Sequence, residues 1–325
     1  MADKGAKYVE HTEIDVSPIR EIAQEVLSEV SRVIVGNGEI LQQLFIALLV
    51  NGHVLLEGVP GLGKTVMAKT FANTLGISFR RVQFTPDLLP ADITGGKIFD
   101  QESGKFVLMR GPIFANLVLA DEINRSAPKT QAALLEAMAE RQVTIEGETL
   151  ELIKPFIVVA TENPVEMEGT YPLPEAQVDR FLFKLWLDYP EEDEEVEILR
   201  RQLSGDSPEV EAVTSGDELI AAQKLVNFVY IDDRILKYIR DLILKTRNHP
   251  QISLGAGPRA SLTLMKCAKA RASILGRTYV TPDDVRALIV PALNHRIMLK
   301  PEAELEGLDT ITVLKQIVEE IPVPI

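Results

Sequence analysis

The sequence is poor in cysteine and in long apolar runs. Cys267 is the single cysteine among 325 residues, which excludes an intramolecular disulfide framework and favours a reducing compartment. The longest apolar stretch, residues 44–50, is far shorter than the roughly 20 residues that a membrane-spanning helix needs. The first ten residues are polar and predict no signal peptide. We therefore expect a soluble cytoplasmic protein without membrane insertion.

Basic residues are also outnumbered, since the chain has 34 lysines and arginines but 48 acidic residues, which gives a net charge of -14. Acids outnumber bases on both sides of Pro190. This disfavours a large nucleic-acid-binding surface, although a local basic patch stays open. The histidines lack metal-ligand spacing and are assigned no catalysis; they are His11, His53, His249 and His295.

The composition that remains, 46% hydrophobic and 25% charged, is that of a globular protein rather than a disordered one. The length suits two domains. We place them at residues 1–189 and 190–325, because strand signals nearly vanish after Pro190. Helical spacing continues beyond that point, at residues 191–201, 217–228, 232–247, 258–275 and 282–293.

The first domain alternates short apolar runs with helical stretches. The runs lie at residues 53–56, 81–84, 117–120 and 156–160, and the helical stretches include residues 19–30, 38–50, 64–75 and 128–140. Runs without polar alternation are typical of strands buried on both faces of a parallel sheet. The pattern predicts an α/β fold with a mainly parallel sheet, interrupted by two hairpins at residues 97–108 and 142–152.

Residues 58–65 read Gly-Val-Pro-Gly-Leu-Gly-Lys-Thr and match the phosphate-binding pattern G-x-x-x-x-G-K-[ST] between a predicted strand and a predicted helix. Glycines let backbone N–H groups wrap phosphates, and the helix N-terminus adds a positive dipole end. Lys64 can reach the β- and γ-phosphates, and Thr65 offers a hydroxyl to Mg²⁺. A plain turn is the alternative. A dinucleotide fingerprint fits poorly, because Val66 stands where it needs a glycine.

Polar side chains follow two of the predicted strands. Asp121 and Glu122 end the apolar run at 117–120, where open α/β sheets bind ligands. We predict that Asp121 holds Mg²⁺, directly or through water, and that Glu122 orients and polarises an attacking water. Asn163 follows the run at 156–160 and could contact the γ-phosphate or the water. Asn before proline is equally a turn signal, so the residues alone leave its role open.

Longer segments resemble AAA+ ATPases, and more narrowly the MoxR family. They are GVPGLGKT (58–65), QFTPDLLPADITG (83–95), LVLADEINRSAPKTQAALLEAMAERQV (117–143), ATENPVEMEGTYPLPEAQVDRF (160–181) and GAGPRA (255–260). The resemblance spans nearly the whole chain, and residues 121–141 and 175–181 are its most specific parts. It implies a P-loop AAA+ αβα core with a parallel sheet, followed by a smaller all-α lid domain.

The resemblance also implies roles for single residues. Lys64 and Thr65 resemble the Walker A pair, Asp121 and Glu122 the Walker B pair, and Asn163 resembles sensor 1. The expected cofactors are ATP and Mg²⁺. The residues expected to bind them are Val35, Gly36, Gly58, Pro60, Gly61, Leu62, Gly63, Lys64, Thr65, Val66, Asp121 and Arg259.

Two arginines complete the expected catalytic set. Arg180 resembles the arginine finger, which acts on nucleotide bound to the neighbouring subunit, and Arg259 resembles sensor 2, which reaches the γ-phosphate from the lid. From the residues alone, Arg180 could instead pair with Asp179 or another acid, and Arg259 could be a surface arginine. Arg125 is a further possible phosphate or subunit contact. Residues 85–110 and 141–152 resemble inserted elements that face the central pore of a ring.

The resemblance implies a MoxR-type ATPase that assembles into a ring, for which we expect a hexamer. The ring would couple Mg-ATP hydrolysis to remodelling, assembly or activation of partner proteins. Cofactor or metal insertion is one form that this task could take. A von Willebrand A-domain partner would be a separate protein, since this chain has no D-x-S-x-S site. The alternatives are a metal-chelatase ATPase subunit, an MCM-like nucleic-acid motor and a nucleotide-binding scaffold. Acidic composition and the lack of a zinc ribbon disfavour the motor.

Overall fold

Within residues 14–163, 169–203 and 209–324, which the computed structural model describes, five strands build a central sheet. The strands of the chain are β1 (Val54–Glu57), β2 (Phe79–Gln83), β3 (Gly95–Asp100), β4 (Lys105–Arg110), β5 (Leu117–Asp121), β6 (Gln142–Ile145), β7 (Glu148–Glu151), β8 (Ile157–Glu162), β9 (Phe183–Trp186), β10 (Ile252–Leu254) and β11 (Met298–Leu299). The sheet order is β2–β5–β8–β1–β9, with parallel pairing throughout. The predicted parallel core is confirmed.

Position in the sheet explains the composition of each strand. β5 and β8 lie inside the sheet and are buried on both faces, so they are apolar without alternation. β2 lies at one edge and exposes Arg80 and Arg81. β9 lies at the other edge, where Phe183 and Leu185 are buried and Trp186 is exposed. This edge strand was not predicted.

Helices cover both faces of the sheet and make up most of the chain after β9. They are α1 (Ser17–Ser31), α2 (Gly38–Leu49), α3 (Lys64–Thr74), α4 (Pro90–Thr94), α5 (Pro128–Glu140), α6 (Glu175–Val178), α7 (Glu192–Leu203), α8 (Gly216–Val226), α9 (Asp233–Arg247), α10 (Pro258–Ile274), α11 (Pro282–Leu293), α12 (Pro301–Leu305) and α13 (Thr310–Glu320), with a 3-10 turn at Ile123–Arg125. A helical lid therefore follows the core, as predicted. The small β10–β11 ladder and α13 within it were missed.

Each face of the sheet has its own apolar core. On one face, Leu117 and Leu119 belong to a cluster that runs through α1, α2 and α3 and continues without a break into the lid helices. On the other face, Val118 and Ala120 pack in a smaller cluster with α5. Burial of each Leu or Phe side chain in these clusters stabilises the fold by roughly 1.5–3 kcal/mol. The lid and the sheet thus share one continuous core.

Hydrogen bonds at helix starts fix where several lid helices begin. The Ser215 hydroxyl accepts from the Glu218 N–H, and the Asp309 carboxylate accepts from the Thr312 N–H. The predicted start at residues 281–284 is confirmed, since the Thr281 N–H donates to Asp284 at 2.8 Å. Asp284 is fully buried and also accepts from Arg271 and Arg277.

Both predicted hairpins are present. β3 pairs with β4 antiparallel and places Phe99 opposite Phe106, and β6 pairs with β7 in the same way. None of the described helices has the length and apolar character needed to cross a bilayer.

Candidate functional site

The glycine-rich loop connects β1 to α3 at the C-terminal ends of the parallel strands. Gly61 and Gly63 have φ angles of 88° and 76°, and nothing lies within 4 Å of where a Cβ would stand on either. Such φ angles favour glycine, because other residues are strained there. The loop thus leaves open space above the N-terminus of α3, where Thr65 sits half-buried in the first turn.

Lys64 is anchored to the two strands beneath the loop. Its Nζ donates to the backbone oxygens of Gly58 and Glu162, the latter at 3.3 Å. Burial lowers the pKa of Lys64, and the nearby carboxylates of Asp121, Glu122 and Glu57 oppose that shift. The ammonium group therefore lies between the loop and the ends of β1 and β8.

Asp121 and Glu122 are linked through Thr161 on the neighbouring strand. The Thr161 hydroxyl donates to Asp121 Oδ1 at 2.6 Å and accepts from the Glu122 N–H at 2.8 Å. Arg81 donates from Nε and Nη2 to Asp121 Oδ2, at 2.9 and 2.6 Å. Glu122 lies in the left-handed region at φ 56°, so its side chain departs from the line of β5.

The Glu122 carboxylate is held by two donors. Gln83 Nε2 and Arg125 Nη1 each donate to Glu122 Oε2 at 2.8 Å. Sequence reasoning missed Arg81 and Gln83. Their signal is their place on β2, since Gln83 pairs in register with Asp121.

A second acidic pair lies beside the loop. Glu57 and Glu162 stand opposite each other on β1 and β8, and Lys184 of β9 is 2.8 Å from Glu57. Burial and the Glu57 charge raise the pKa of Glu162 to about 7, although Lys184 opposes this. This cluster was not predicted, because its members are far apart in the sequence.

The loop and the strand ends enclose a cavity of about 370 Å³. It is lined by Val59, Pro60, Gly61, Leu62, Gly63, Lys64, Thr65, Arg81, Asp121, Glu122, Thr161, Glu162 and Asn163. The open glycine cradle and the ammonium group fit a polyphosphate, and the Thr65 hydroxyl with the Asp121 carboxylate fits Mg²⁺, which prefers oxygen ligands. The residues present therefore suit a Mg-nucleotide.

Five of the residues expected to bind nucleotide lie outside this lining, namely Val35, Gly36, Gly58, Val66 and Arg259. Val66 is half exposed on α3, and Val35 and Gly36 precede α2. Gly36 lies against the carboxylate of Glu194 at the start of α7. Their contact with a nucleotide stays a prediction. Asn163, by contrast, is buried and lines the cavity, and its role toward the nucleotide stays a prediction.

Arg180 and Arg259 lie near the N-terminal ends of the parallel strands, whereas the loop lies at their C-terminal ends. Phe183 pairs with Val54 at the start of β1, and Arg180 precedes Phe183, whereas the loop follows the end of β1. Four strand residues span about 13 Å. Arg259 donates from Nη1 to Asp179 Oδ2 at 2.6 Å, so the structure does not bring Arg259 to the loop of its own chain.

The two arginines share a separate cavity of about 610 Å³ with Arg141 and Arg296. Arg180 is exposed, and its Nη1 donates to the Leu135 backbone oxygen at 2.7 Å. Its pairing with Asp179, which the residues alone left open, is not seen, because Asp179 is taken by Arg259 and Arg296. This arginine-rich cavity is thus separate from the cavity at the glycine-rich loop.

Comparison with known proteins agrees with this geometry. Residues 53–183 match the ATPase family associated with various cellular activities (AAA), and residues 244–321 match the AAA lid domain. Chaperone MoxR1 of Mycobacterium tuberculosis is 40% identical over 93% of this chain and 82% of its own length. The uncharacterized protein YeaC of Bacillus subtilis is 48% identical over 96% and 97%.

A crystal structure gives the same picture. It is that of a protein from Cytophaga hutchinsonii assigned provisionally as an ATPase, with a TM-score of 0.90 and 42% identity over 95% of this chain and 97% of that one. Sequence similarity over nearly the full length, the parallel core with its lid and the glycine-rich loop all agree. The chain belongs to the MoxR family of AAA+ ATPases.

Proposed function

We propose that this protein hydrolyses ATP in a ring, with each active site built from two subunits. The observation that carries the proposal is the separation of the loop cavity from Arg180 and Arg259. The cavity lies at the C-terminal ends of the parallel strands, and the two arginines lie near the N-terminal ends. The distance of these arginines from the loop of their own chain supports a role at the site of a neighbouring subunit.

Residues of the loop cavity bind and orient the substrate. The backbone of residues 58–63 and the Lys64 ammonium hold the phosphates. Thr65 and Asp121 would hold Mg²⁺, which would neutralise charge on the phosphates. Asp121 Oδ2 accepts from Arg81, and a bound Mg²⁺ would compete for the same oxygen.

Glu122 and Asn163 act on the attacking water. The Glu122 carboxylate, held by Gln83 and Arg125 through Oε2, polarises and orients the water. Asn163 lies beside it in the same cavity. Arg180 and Arg259 of the neighbouring subunit stabilise charge on the transferring phosphoryl group.

The ring, for which we propose six subunits, couples this reaction to remodelling of partner proteins. The β3–β4 hairpin supports that part of the proposal, because it exposes apolar side chains that a folded core would bury. They are Ile98, Phe99, Phe106, Val107 and Met109. Such a surface suits an extended apolar polypeptide. A von Willebrand A-domain protein and metal or cofactor insertion remain specific forms of this proposal.

The test is Mg²⁺-dependent ATP turnover as a function of protein concentration for wild type, Arg180→Ala and Arg240→Ala. Arg240 is a matched exposed arginine on α9, paired with Asp241. Specific activity should rise with concentration, since the site needs two subunits. Arg180→Ala should lower kcat on the order of 10³-fold, and Arg240→Ala should match wild type.

Two results would contradict the proposal. Turnover that is independent of protein concentration and survives Arg180→Ala indicates a monomeric enzyme. Stimulation of turnover by DNA, falling steeply with salt, indicates a nucleic-acid motor instead.

A further inference from the structure

Three consecutive lid residues hold the segment that carries Arg180. Asn294, His295 and Arg296 follow α11 directly and pack against residues 179–184, which lead into β9. We call residues 294–296 the lid clasp. The Arg296 side chain is 3% exposed, so its polar groups must find partners inside the protein.

Arg296 makes most of these contacts. Its Nε donates to Asp179 Oδ1 at 2.8 Å, and its Nη2 donates to the backbone oxygens of Phe181 and Asp179 at 2.7 and 3.2 Å. Its Nη1 donates to the backbone oxygen of Leu182 at 3.2 Å and to that of Ala292. The segment follows the end of α6, where backbone oxygens lose their helical partners. One guanidinium supplies those partners.

The other two clasp residues extend the hold. His295 Nε2 donates to the Phe181 backbone oxygen at 3.1 Å, and Asn294 Nδ2 donates to that of Lys184 at 3.0 Å. Burial and the Arg296 charge hold the pKa of His295 well below its ordinary value. A lowered pKa favours the neutral imidazole, and its Nε2–H is the group that the Phe181 oxygen can accept.

Asp179 connects the clasp to Arg259. One carboxylate oxygen accepts from Arg296 and the other from Arg259 at 2.6 Å. Arg180 is the next residue. A continuous chain of contacts thus runs from the end of α11 through Arg296 and Asp179 to both arginines.

We propose that the lid clasp positions Arg180 and Arg259 as one unit, so that the lid of one subunit controls catalysis at the site of its neighbour. The inference rests on the proposed function, because it assumes that these arginines act between subunits. A guanidinium suits the task, since its planar fork fixes several acceptors at once, whereas an ammonium is a single flexible point. Arg296 is a positioning residue and does not touch the nucleotide.

The first test compares Arg296→Lys with Arg277→Lys. Arg277 is a matched control, because it also bonds a buried carboxylate in the lid, that of Asp284, without touching residues 179–184. Arg296→Lys should lower kcat by about 10- to 100-fold through misplacement of the two arginines. The KM for ATP should change less than about two-fold, because the loop is intact. Arg277→Lys should retain wild-type kcat at a temperature where both variants are folded.

Subunit mixing separates positioning from damage to the subunit itself. Glu122→Gln subunits lack hydrolysis and keep sound arginines, whereas Arg180→Ala subunits keep a sound loop and lack the finger. Arg296→Lys mixed with Glu122→Gln should regain turnover, because its loops meet sound arginines on their neighbours. Arg296→Lys mixed with Arg180→Ala should show no gain in turnover over Arg296→Lys alone, since no subunit then supplies a soundly placed finger.

The outcomes distinguish the inference from the function beneath it. A wild-type kcat in Arg296→Lys overturns the clasp alone. So does a mixing experiment in which Glu122→Gln restores turnover to Arg180→Ala but not to Arg296→Lys. Failure of Arg180→Ala to regain turnover with Glu122→Gln overturns the shared site, and the clasp with it. If Arg296→Lys does not fold, His295→Gln takes its place and should show the same pattern with a smaller loss.

Discussion

At the scale of single residues, neighbouring groups shift the pKa values of two carboxylates, Glu162 and Asp284, in opposite directions. Glu162 lies beside Glu57, and burial raises its pKa from 4.5 to about 7. Burial also acts to raise the pKa of Asp284, but hydrogen bonds from Arg277, Thr281 and Arg271 outweigh it and lower the pKa. The two residues should therefore respond to pH with opposite sign.

Glu162→Gln should stabilise the protein at alkaline pH. The folded state binds the Glu162 proton more tightly than the unfolded state, so wild-type stability falls as pH rises from 4.5 to about 7. The uncharged variant avoids that loss. Its Tm by circular dichroism should exceed that of wild type by a few degrees at pH 8 and match it at pH 5. The exposed Glu306→Gln serves as control, and an equal shift at both pH values would count against the raised pKa.

Asp284→Asn should destabilise the lid strongly. The change leaves Arg271 and Arg277 without their buried counter-charge, which costs about 3–5 kcal/mol. Because the folded pKa is lowered, the contribution is present above the ordinary Asp pKa and is lost as pH falls through the folded value. Urea unfolding at pH 7 should show the loss, and the gap should narrow on acidification. Asp283→Asn, at the exposed neighbouring position, should be nearly neutral.

At the scale of elements, the sequence predicts what has a strong local signal. The strands inside the sheet are uniformly apolar, and the β3–β4 hairpin carries apolar arms around a turn, so both were found. β9 escaped because it is an edge strand of four residues in which Lys184 and Trp186 alternate with buried positions. The Walker residues have a sequence pattern, whereas the contacts of Arg81, Gln83 and Arg296 arise from tertiary pairing and have none.

The exposed face of the β3–β4 hairpin allows an element-scale prediction. Phe99 and Phe106 pack edge to face at 5.5 Å, and both stay over half exposed. Replacing both with serine should leave basal ATP turnover and Tm nearly unchanged, because neither belongs to a core. Stimulation of turnover by a permanently unfolded model protein should be lost. Leu305→Ser, at an 88% exposed apolar position on α12, is the control. Retained stimulation in the double variant would remove the hairpin from client contact.

At the scale of the whole molecule, the proposed site between subunits would link nucleotide binding to assembly. A nucleotide held by the loop of one subunit and the arginines of another would stabilise their interface by mass action. In the single chain, the loop cavity and the arginine cavity lie at opposite ends of the parallel strands.

Glu122→Gln should therefore assemble in an ATP-dependent way. The variant retains the loop and the Lys64 contacts, so it should bind ATP and hold it unhydrolysed. Sedimentation velocity should show larger species with Mg-ATP than without it. Adding Lys64→Ala to the variant removes the phosphate contact and should abolish the shift. An unchanged distribution in Glu122→Gln would separate assembly from nucleotide binding.

The continuous core also dictates an order of events during synthesis. α1 packs on α2 and α3 but also on α10, and β1 pairs with β9, so some partners of these early elements follow only after more than a hundred further residues. Contacts of such long sequence separation form late. The apolar surfaces of α1 and α2 that contact the lid helices therefore stay uncovered until the lid has been synthesised.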